Sequence, residues 1–385
     1  MDEPKVPKPM VSSPAGGPPS TVHDVPNHVL ELILLRLDSS ISLVRAESAC
    51  KRWHRVVADA GFQGRFRRRN GATASSSSWA TTYPDAAARP SHRQSFDLDF
   101  VPKVDGCWQI ADGRGRLLLL RKRKWKKWDR RLNPDLVVCE PLTRRYRAIS
   151  VLPDILGGCQ DLGLFLLEGG GLSDFKFMAV LLTKVRGRGV PSACVYSQRD
   201  GTWHGFNCAW EGNRNIPSRA RNFVFTGRAN GSLYWGILGG GGGAHAALAL
   251  DEATARVSQV ALPDGVEGWH HGRFLRMIGG EDDGTLRAVC LIDSELRVFA
   301  RLHGGAGWVL ENHLLQLLDD PIAIMARPMI VAAHEMYVLV APKHSQWLFC
   351  IDLKTMAVGR LRRRNVYKEW LACPYELPWP PVLNA

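Results

Sequence analysis

A five-residue unit recurs three times along the chain and favours a repeat architecture. In each copy an apolar segment ends on an acidic residue and a threonine follows three positions later, at residues 139–143, 250–254 and 351–355. From about residue 91 the surrounding sequence has the pattern of short strands separated by Gly, Asp and Asn turns. Strand repeats of this kind predict a β-propeller, in which neighbouring blades bury each other's faces.

The predicted propeller spans residues 94–385. A four-stranded blade takes roughly 40 to 50 residues, so this length accommodates about six blades. A β-sandwich with a similar number of strands is the alternative.

The first part of the chain has a helical pattern instead, and it predicts a multidomain protein with a small α-helical domain before the all-β domain. Pro26 suits the start of a helix, because its φ is already fixed near the helical value. Apolar residues then recur at helical spacing: Val29, Ile33 and Leu37, with Leu30 and Leu34 widening the face. A second helical arm over residues 42–57 completes a hairpin, and Phe62 and Phe66 indicate a short third helix. So short a domain cannot bury all these side chains alone, so some should remain available to a partner.

Residues 22–70 resemble an F-box, the docking module of ubiquitin-ligase substrate receptors. The family pattern consists of a Leu-Pro start, an Ile and a Leu at helical spacing, a Ser-Leu pair, a Val-Cys-Lys-x-Trp run and a late Phe. The matching residues here are Val25-Pro26, Ile33, Leu37, Ser42-Leu43, Ala49-Cys50-Lys51-Arg52-Trp53 and Phe62. The chain departs from the pattern at Val25, Asp38 and Ala49, and each departure weakens an apolar contact.

The resemblance implies that the helical domain docks on a Skp-type adaptor, which links it to a cullin and a RING subunit. The adaptor-contact residues that it implies are Pro26, Leu30, Ile33, Leu37, Leu43, Cys50 and Trp53. Three of these, Leu30, Leu43 and Cys50, suit the core of the hairpin equally well.

The repeat domain resembles the F-box-associated and kelch-like propellers that often follow an F-box, especially in plants, where the strand-Asp-x-x-Thr unit is common. The two resemblances together imply a non-catalytic substrate-recognition subunit of an SCF-type (Skp, cullin, F-box) E3 ubiquitin ligase, with the propeller binding a target protein. A non-degradative scaffold and a basic propeller that binds nucleic acid are the alternatives.

Composition predicts the remaining organisation of the chain. Residues 1–21 are rich in Pro, Ser and Gly and lack the basic and apolar regions of a signal peptide, so we expect a disordered leader. The polar tract at 71–93 is predicted to be a flexible linker. No apolar run approaches the roughly 18 residues of a membrane helix, so we expect no membrane association. The lack of signal-peptide regions and the odd number of irregularly spaced cysteines predict an intracellular location, in the cytoplasm, the nucleus or both.

Charge is the property that an F-box does not explain. The formal net charge is +13, and much of the excess lies in short basic runs. The densest run gives a candidate partner patch formed by Arg121, Lys122, Arg123, Lys124, Lys126 and Lys127. A solvated loop, a nuclear import signal, an acidic protein target and single-stranded nucleic acid all fit such a run. Nucleic acid is the less favoured partner.

No motif indicates catalysis, a metal or a cofactor. The nine cysteines include no C-x-x-C pair, and neither a G-x-S-x-G nor an H-E-x-x-H motif occurs. We therefore expect no enzyme activity and no cofactor, and we expect most cysteines to be buried reduced thiols.

Overall fold

The computed structural model describes residues 25–37, 43, 46–47, 49–70, 78–81, 98–102, 108–122, 136–141, 143–149, 159–167, 171–185, 187–206, 209–211, 219, 223–237, 246–264, 266, 274–280, 284–292, 295–301, 307–314, 328–342, 347–362 and 372–375. The chain divides into two compact units. Met1–Ala74 and Pro380–Ala385 form the first, called here the helical unit, and Ser75–Trp379 form the second, called the strand unit.

The helical unit contains helices α1 (Asn27–Leu35), α2 (Lys51–Val57) and α3 (Ala60–Asn70). Pro26 immediately precedes α1, and its carbonyl accepts a hydrogen bond from the Leu30 N–H at 3.0 Å. Asp59 caps α3 by accepting a bond from the Phe62 N–H at 2.8 Å, which satisfies one of the unpaired donors of a helix start. The predicted second arm is not one continuous helix, because Cys50 is extended (φ −162°, ψ 161°) at the start of α2.

The strand unit contains 23 strands in its described residues. They are β1 (Ser78–Thr81), β2 (Trp108–Arg114), β3 (Leu117–Lys122), β4 (Leu136–Glu140), β5 (Arg145–Ile149), β6 (Gln160–Leu166), β7 (Lys176–Val185), β8 (Arg188–Ser197), β9 (Thr202–Phe206), β10 (Ala209–Glu211), β11 (Phe223–Ala229), β12 (Ser232–Ile237), β13 (Ala246–Asp251), β14 (Arg256–Ala261), β15 (Leu275–Ile278), β16 (Arg287–Ile292), β17 (Glu295–Arg301), β18 (Trp308–Leu314), β19 (Met329–Ala333), β20 (Tyr337–Ala341), β21 (Trp347–Asp352), β22 (Val358–Arg362) and β23 (Ala372–Tyr375).

These strands form five antiparallel four-stranded blades in chain order. Blade 1 is β2 to β5, blade 2 is β6 to β9, blade 3 is β11 to β14, blade 4 is β15 to β18 and blade 5 is β19 to β22. Strand β10 adds to the outer edge of blade 3 in parallel with β14. Strands β1 and β23, from the two ends of the unit, pair with each other and occupy the sixth blade position.

The first strands of the blades close a ring. Contacts run from β2 to β6, β11, β15, β19 and β23 in turn, and β23 also contacts β2. A ring of six strands, each the innermost of its blade, is a β-propeller and not a sandwich. The predicted architecture is therefore confirmed. Strand β1, at residues 78–81, lies within the segment predicted as a linker at 71–93.

Apolar side chains fill the space between consecutive blades. Four clusters of buried residues lie between blades 1 and 2, 2 and 3, 3 and 4, and 4 and 5. The largest fully buried side chain is Trp235, whose indole N–H also donates to the Leu162 carbonyl of the adjoining blade at 3.0 Å. Burial of both faces explains the nearly continuous apolar sequence of strands such as β3 and β13.

The recurring sequence unit forms the turn between the third and fourth strands of blades 1, 3 and 5. A single carboxylate oxygen of Asp251 accepts bonds from the Ala253 and Thr254 N–H groups and from the Thr254 hydroxyl, at 3.1, 2.7 and 2.7 Å. Asp352 makes the same three bonds with Lys354 and Thr355. The residue after each threonine has a positive φ, at Arg144, Ala255 and Met356.

A second contact joins the turn between the third and fourth strands of a blade to the turn between its first and second strands. It is a backbone hydrogen bond in three blades, from Gln198 N to Phe175 O, from Glu252 N to Gly231 O and from Leu353 N to Met336 O. Blade 1 has Pro141 at this place, which has no N–H to donate. There an ion pair between Arg116 and Glu140, 2.8 Å long, joins the two turns instead.

We expect replacement of Asp251 and Asp352 by Ala to lower the free energy of unfolding by about 1–2 kcal/mol per site at neutral pH. The Thr254 hydroxyl and N–H hold the pKa of Asp251 below its ordinary value, and the N–H and hydroxyl of Thr355 do the same for Asp352. A carboxylate with a lowered folded pKa stabilises the protein above its unfolded pKa and ceases to do so as pH falls through the folded value. The difference between wild type and the double variant should therefore shrink below pH 3.8.

Denaturant unfolding across the acidic range measures this difference. The matched control is replacement of both residues by Asn, which keeps an acceptor that does not titrate and should cost less at neutral pH. A difference between wild type and the Ala variant that stays constant with pH would contradict the role assigned to the two carboxylates.

Candidate functional site

Helix α1 has two apolar faces that point in different directions. Leu30 and Leu34 are each 1% exposed and pack in the core of the helical unit. Leu32 and Ile33 are 58% and 48% exposed. The unit leaves about half of each of these two adjacent aliphatic side chains uncovered, so the outer face of α1 is a candidate contact surface.

Polar contacts fix α1 against the other two helices. The Arg52 guanidinium donates to Asn27 Oδ1 at 2.9 Å and to the Val25 carbonyl, which ties the start of α2 to the start of α1. Glu31 on α1 forms an ion pair with Arg65 on α3. Helix α1 is therefore held at its start by α2 and at its centre by α3, which fixes the orientation of its outer face.

A buried carboxylate also supports α2. Glu47 is 2% exposed, and its Oε1 lies 2.8 Å from Nδ1 of His54. Pairing with the imidazole offsets the cost of burying the carboxylate and ties the residues before α2 to the helix itself.

The strand unit has an ionic cluster that joins three blades. Arg228 of β11 pairs with Asp112 of β2 at 3.2 Å and with Glu252 at 2.9 Å. Arg114, at the end of β2, lies 2.9 Å from the other oxygen of Glu252. The Leu166 backbone of β6 completes the cluster, since its N–H donates to Asp112 and its carbonyl accepts from Arg228, both at 2.8 Å.

The contacts of this cluster hold blades 1, 2 and 3 together. Burial raises the pKa of the Asp112 carboxyl, while the Arg228 guanidinium and the Leu166 N–H act in the opposite direction. The two carboxylates and two guanidinium groups balance in charge, which leaves no net positive site for an anion. Sequence reasoning missed the cluster, and no local pattern marks its members.

Residues 22–62 match the F-box-like family. The match covers α1, α2 and the start of α3, and the exposed face of α1 lies within it. F-box domains generally bind Skp-type adaptors. No curated relative matches the chain.

Several solved structures resemble the strand unit at low similarity. They include an oligogalacturonate lyase in complex with manganese (10% identity, 66% of this chain and 64% of that chain, TM-score 0.34), a nidogen/laminin complex (9%, 65% and 77%, 0.32) and apo AztD from Citrobacter koseri (11%, 67% and 60%, 0.27). The chain spans less than two thirds of the length of the lyase and of AztD. Similarity at these TM-scores is too low to support a conclusion about the function of this protein.

The predicted adaptor residues differ in how exposed their side chains are in the F-box-like domain. Pro26 and Ile33 are exposed, and Leu37, Cys50 and Trp53 are partly exposed. Leu30 and Leu43 are buried, at 1% and 0% exposure. Sequence reasoning did not include Leu32, although its position beside Ile33, outside the four-residue spacing, was a usable signal.

The predicted basic patch is described only at its start. Arg121 forms an ion pair with Asp161 of blade 2 at 2.5 Å, and Lys122 is half-buried. Arg123, Lys124, Lys126 and Lys127 lie outside the described residues.

The described residues contain little that is suited to redox or metal chemistry. Burial raises the pKa of the Cys139 and Cys290 thiols, which makes both poor nucleophiles. Within the described ranges, no group of three His, Cys, Asp or Glu side chains is arranged as metal ligands. In the same ranges no helix is both long and apolar enough to cross a membrane.

Proposed function

We propose that the protein is the substrate-recognition subunit of an SCF-type E3 ubiquitin ligase. The observation that carries the proposal is the F-box-like domain at residues 22–62 with two adjacent aliphatic side chains, Leu32 and Ile33, exposed on its first helix. A docking module that presents apolar side chains to solvent fits a partner that buries them.

In this proposal the adaptor contact is centred on the outer face of α1. Pro26, Leu32 and Ile33 provide its exposed part, and Leu37, Cys50 and Trp53 provide partly exposed neighbours. Leu30 and Leu43 act indirectly, because their burial fixes the direction in which the outer face points.

The propeller would hold the target while the adaptor links it to a cullin and a RING subunit. The protein itself would be non-catalytic, since tethering alone raises the effective concentration of target lysines near the ubiquitin-charged enzyme. Such a subunit would work in the cytoplasm, the nucleus or both. The Asp-x-x-Thr turns at Asp251 and Asp352 support the finer proposal that the propeller is of the F-box-associated or kelch-like, plant type.

We expect the variant with Leu32→Ala and Ile33→Ala to bind a recombinant Skp-type adaptor about 2–4 kcal/mol more weakly than wild type. Both side chains are about half exposed in the free protein, so their loss should change the free energy of unfolding by no more than about 0.5 kcal/mol. Titration calorimetry of the full-length chain against the adaptor measures the first quantity, and denaturant unfolding measures the second.

The matched comparison is Leu30→Ala on the buried face of the same helix. It should destabilise the helical unit by about 2–5 kcal/mol, because it leaves a cavity. Trp53→Ala should weaken adaptor binding as well, since a partly exposed Trp beside an apolar face is a typical anchor. An adaptor affinity equal to that of wild type in a folded Leu32→Ala, Ile33→Ala variant would refute the proposed contact.

A further inference from the structure

The direction of the strands places particular connections on the same rim of the propeller. The first strands of blades 1 and 2 run parallel. The ends of β2 and β6 meet where the Leu166 N–H donates to Asp112, and Arg121, beside the start of β2, meets Asp161 near the start of β6. Because the strands within a blade alternate in direction, the hairpins between second and third strands all emerge where the first strands begin. We call this side the hairpin rim.

The hairpin of blade 2 extends past the first and fourth strands of its own blade at this rim. Strands β7 and β8 pair along their whole length, from Lys176 with Ser197 to Val185 with Arg188. Pairing with β6 stops at Leu182, and pairing with β9 stops at Ala193. The described residues 183–185 and 187–190, called here the hairpin tip, therefore extend past the strands on both sides.

One face of the hairpin tip carries two exposed valines. Val185 lies opposite Arg188 and Thr183 opposite Val190, so these four side chains share a face. Val185 and Val190 are 48% and 41% exposed. Two valines left this exposed on a projecting two-stranded hairpin are a liability unless a partner covers them.

The hairpin tip is also positively charged. Lys184 and Arg188 are exposed, and neither forms an ion pair with a carboxylate of the described residues. The sequence between β3 and β4, residues 123–135, lies outside the described residues and has six Lys or Arg and two Asp. The charge of the hairpin tip therefore favours an acidic partner.

We propose that the hairpin tip is a docking site for an acidic protein segment that carries aliphatic side chains. The proposal rests on the proposed function and names the kind of target segment that the strand unit binds. On the face that they share, Arg188 binds its carboxylates and Val185 and Val190 pack against its aliphatic groups. Lys184, on the opposite face, adds to the positive charge of the tip. A protein segment fits better than nucleic acid, because the tip presents aliphatic side chains where base stacking would need aromatic ones.

Fluorescence anisotropy of the full-length chain tests the proposal with three probes. They are a glutamate-rich peptide with two valines, an all-glutamate peptide of the same length, and an oligothymidylate of matched charge. The valine-containing peptide should bind most tightly. Lys184→Glu with Arg188→Glu should weaken its binding about tenfold or more.

The apolar half of the site is tested by Val185→Thr with Val190→Thr, which keeps β-branched side chains in the strands. It should weaken binding of the valine-containing peptide and leave binding of the all-glutamate peptide unchanged. The control for charge is Arg145→Glu with Arg147→Glu, which reverses two exposed charges on the outer strand of blade 1 and should have no comparable effect.

Failure to bind the valine-containing peptide would overturn the proposal, and so would equal losses in the tip variant and in the control. Tighter binding of the oligothymidylate, lost in the tip variant, would replace the proposed partner with nucleic acid. An unaffected Val185→Thr, Val190→Thr variant would refute the aliphatic contact. Adaptor binding without peptide binding would refute only this site, whereas peptide binding without adaptor binding would refute only the ligase role.

Discussion

Replacing Gly227 with Ala should lower the free energy of unfolding by about 3 kcal/mol or more. Gly227 has a φ of 151°, a region that residues with a side chain rarely adopt, and it pairs in parallel with Met277 of the next blade. A Cβ atom at this position would lie 2.1 Å from the Met277 carbonyl oxygen. Because this oxygen belongs to the backbone and cannot move like a side chain, the first strands of blades 3 and 4 would have to separate.

Thermal or denaturant unfolding of the full-length chain measures this loss. Gly205→Ala is the matched control, because Gly205 lies on an outer strand and an added Cβ there would meet no atom within 4 Å. We expect Gly205→Ala to leave stability within about 0.5 kcal/mol of wild type. Equal stability of the Gly227→Ala protein and wild type would show that the strands do not approach as closely as described.

Replacing Arg228 with Ala should cost about 2–4 kcal/mol of unfolding free energy. Arg228 is the cation that Asp112 and Glu252 share, and the exposed fractions of the two carboxylate side chains are 14% and 9%. Removing the guanidinium takes away the cation beside the largely buried Asp112 carboxylate and leaves it the backbone N–H groups of Leu166 and Gly113. Breaking a buried pair from one side is costly, even where the pair as a whole contributes little.

Arg121→Ala is the control for this prediction, since it removes the same group from a surface ion pair. The side chains of Arg121 and Asp161 are 40% and 48% exposed, and such a pair contributes about 0–1 kcal/mol. Denaturant unfolding of both variants makes the comparison. Similar small losses for the two would contradict the view that the cluster joins blades 1, 2 and 3.

The sequence predicted the propeller from three turns, and the structure explains why only three were visible. Blade 2 makes a similar turn with different residues. The Gly201 N–H bonds to the Ser197 carbonyl at 2.9 Å, as the Ala255 N–H bonds to the Asp251 carbonyl at 3.0 Å in blade 3. Gly201 has a φ of 64°, close to the 54° of Ala255. The backbone geometry recurs where the side chains do not, so a search for Asp and Thr could not find this copy.

The parts that sequence reasoning missed depend on contacts between distant residues. Arg114 and Glu252 are 138 positions apart, and no periodicity relates them. Strand β1 has no strand signal in its own Ser-rich segment and is recognised only by its pairing with β23. Helix α1 was predicted as amphipathic, but which of its apolar residues face inward is decided by packing of α2 and α3 against it.

The most direct test of the ligase-subunit role is gel filtration of the full-length chain mixed with a recombinant Skp-type adaptor, a cullin and a RING subunit. We predict that all four proteins elute together as one complex, and that a chain lacking residues 22–70 elutes alone. Elution of the intact, folded chain apart from the other three would contradict the proposed role in a ubiquitin ligase.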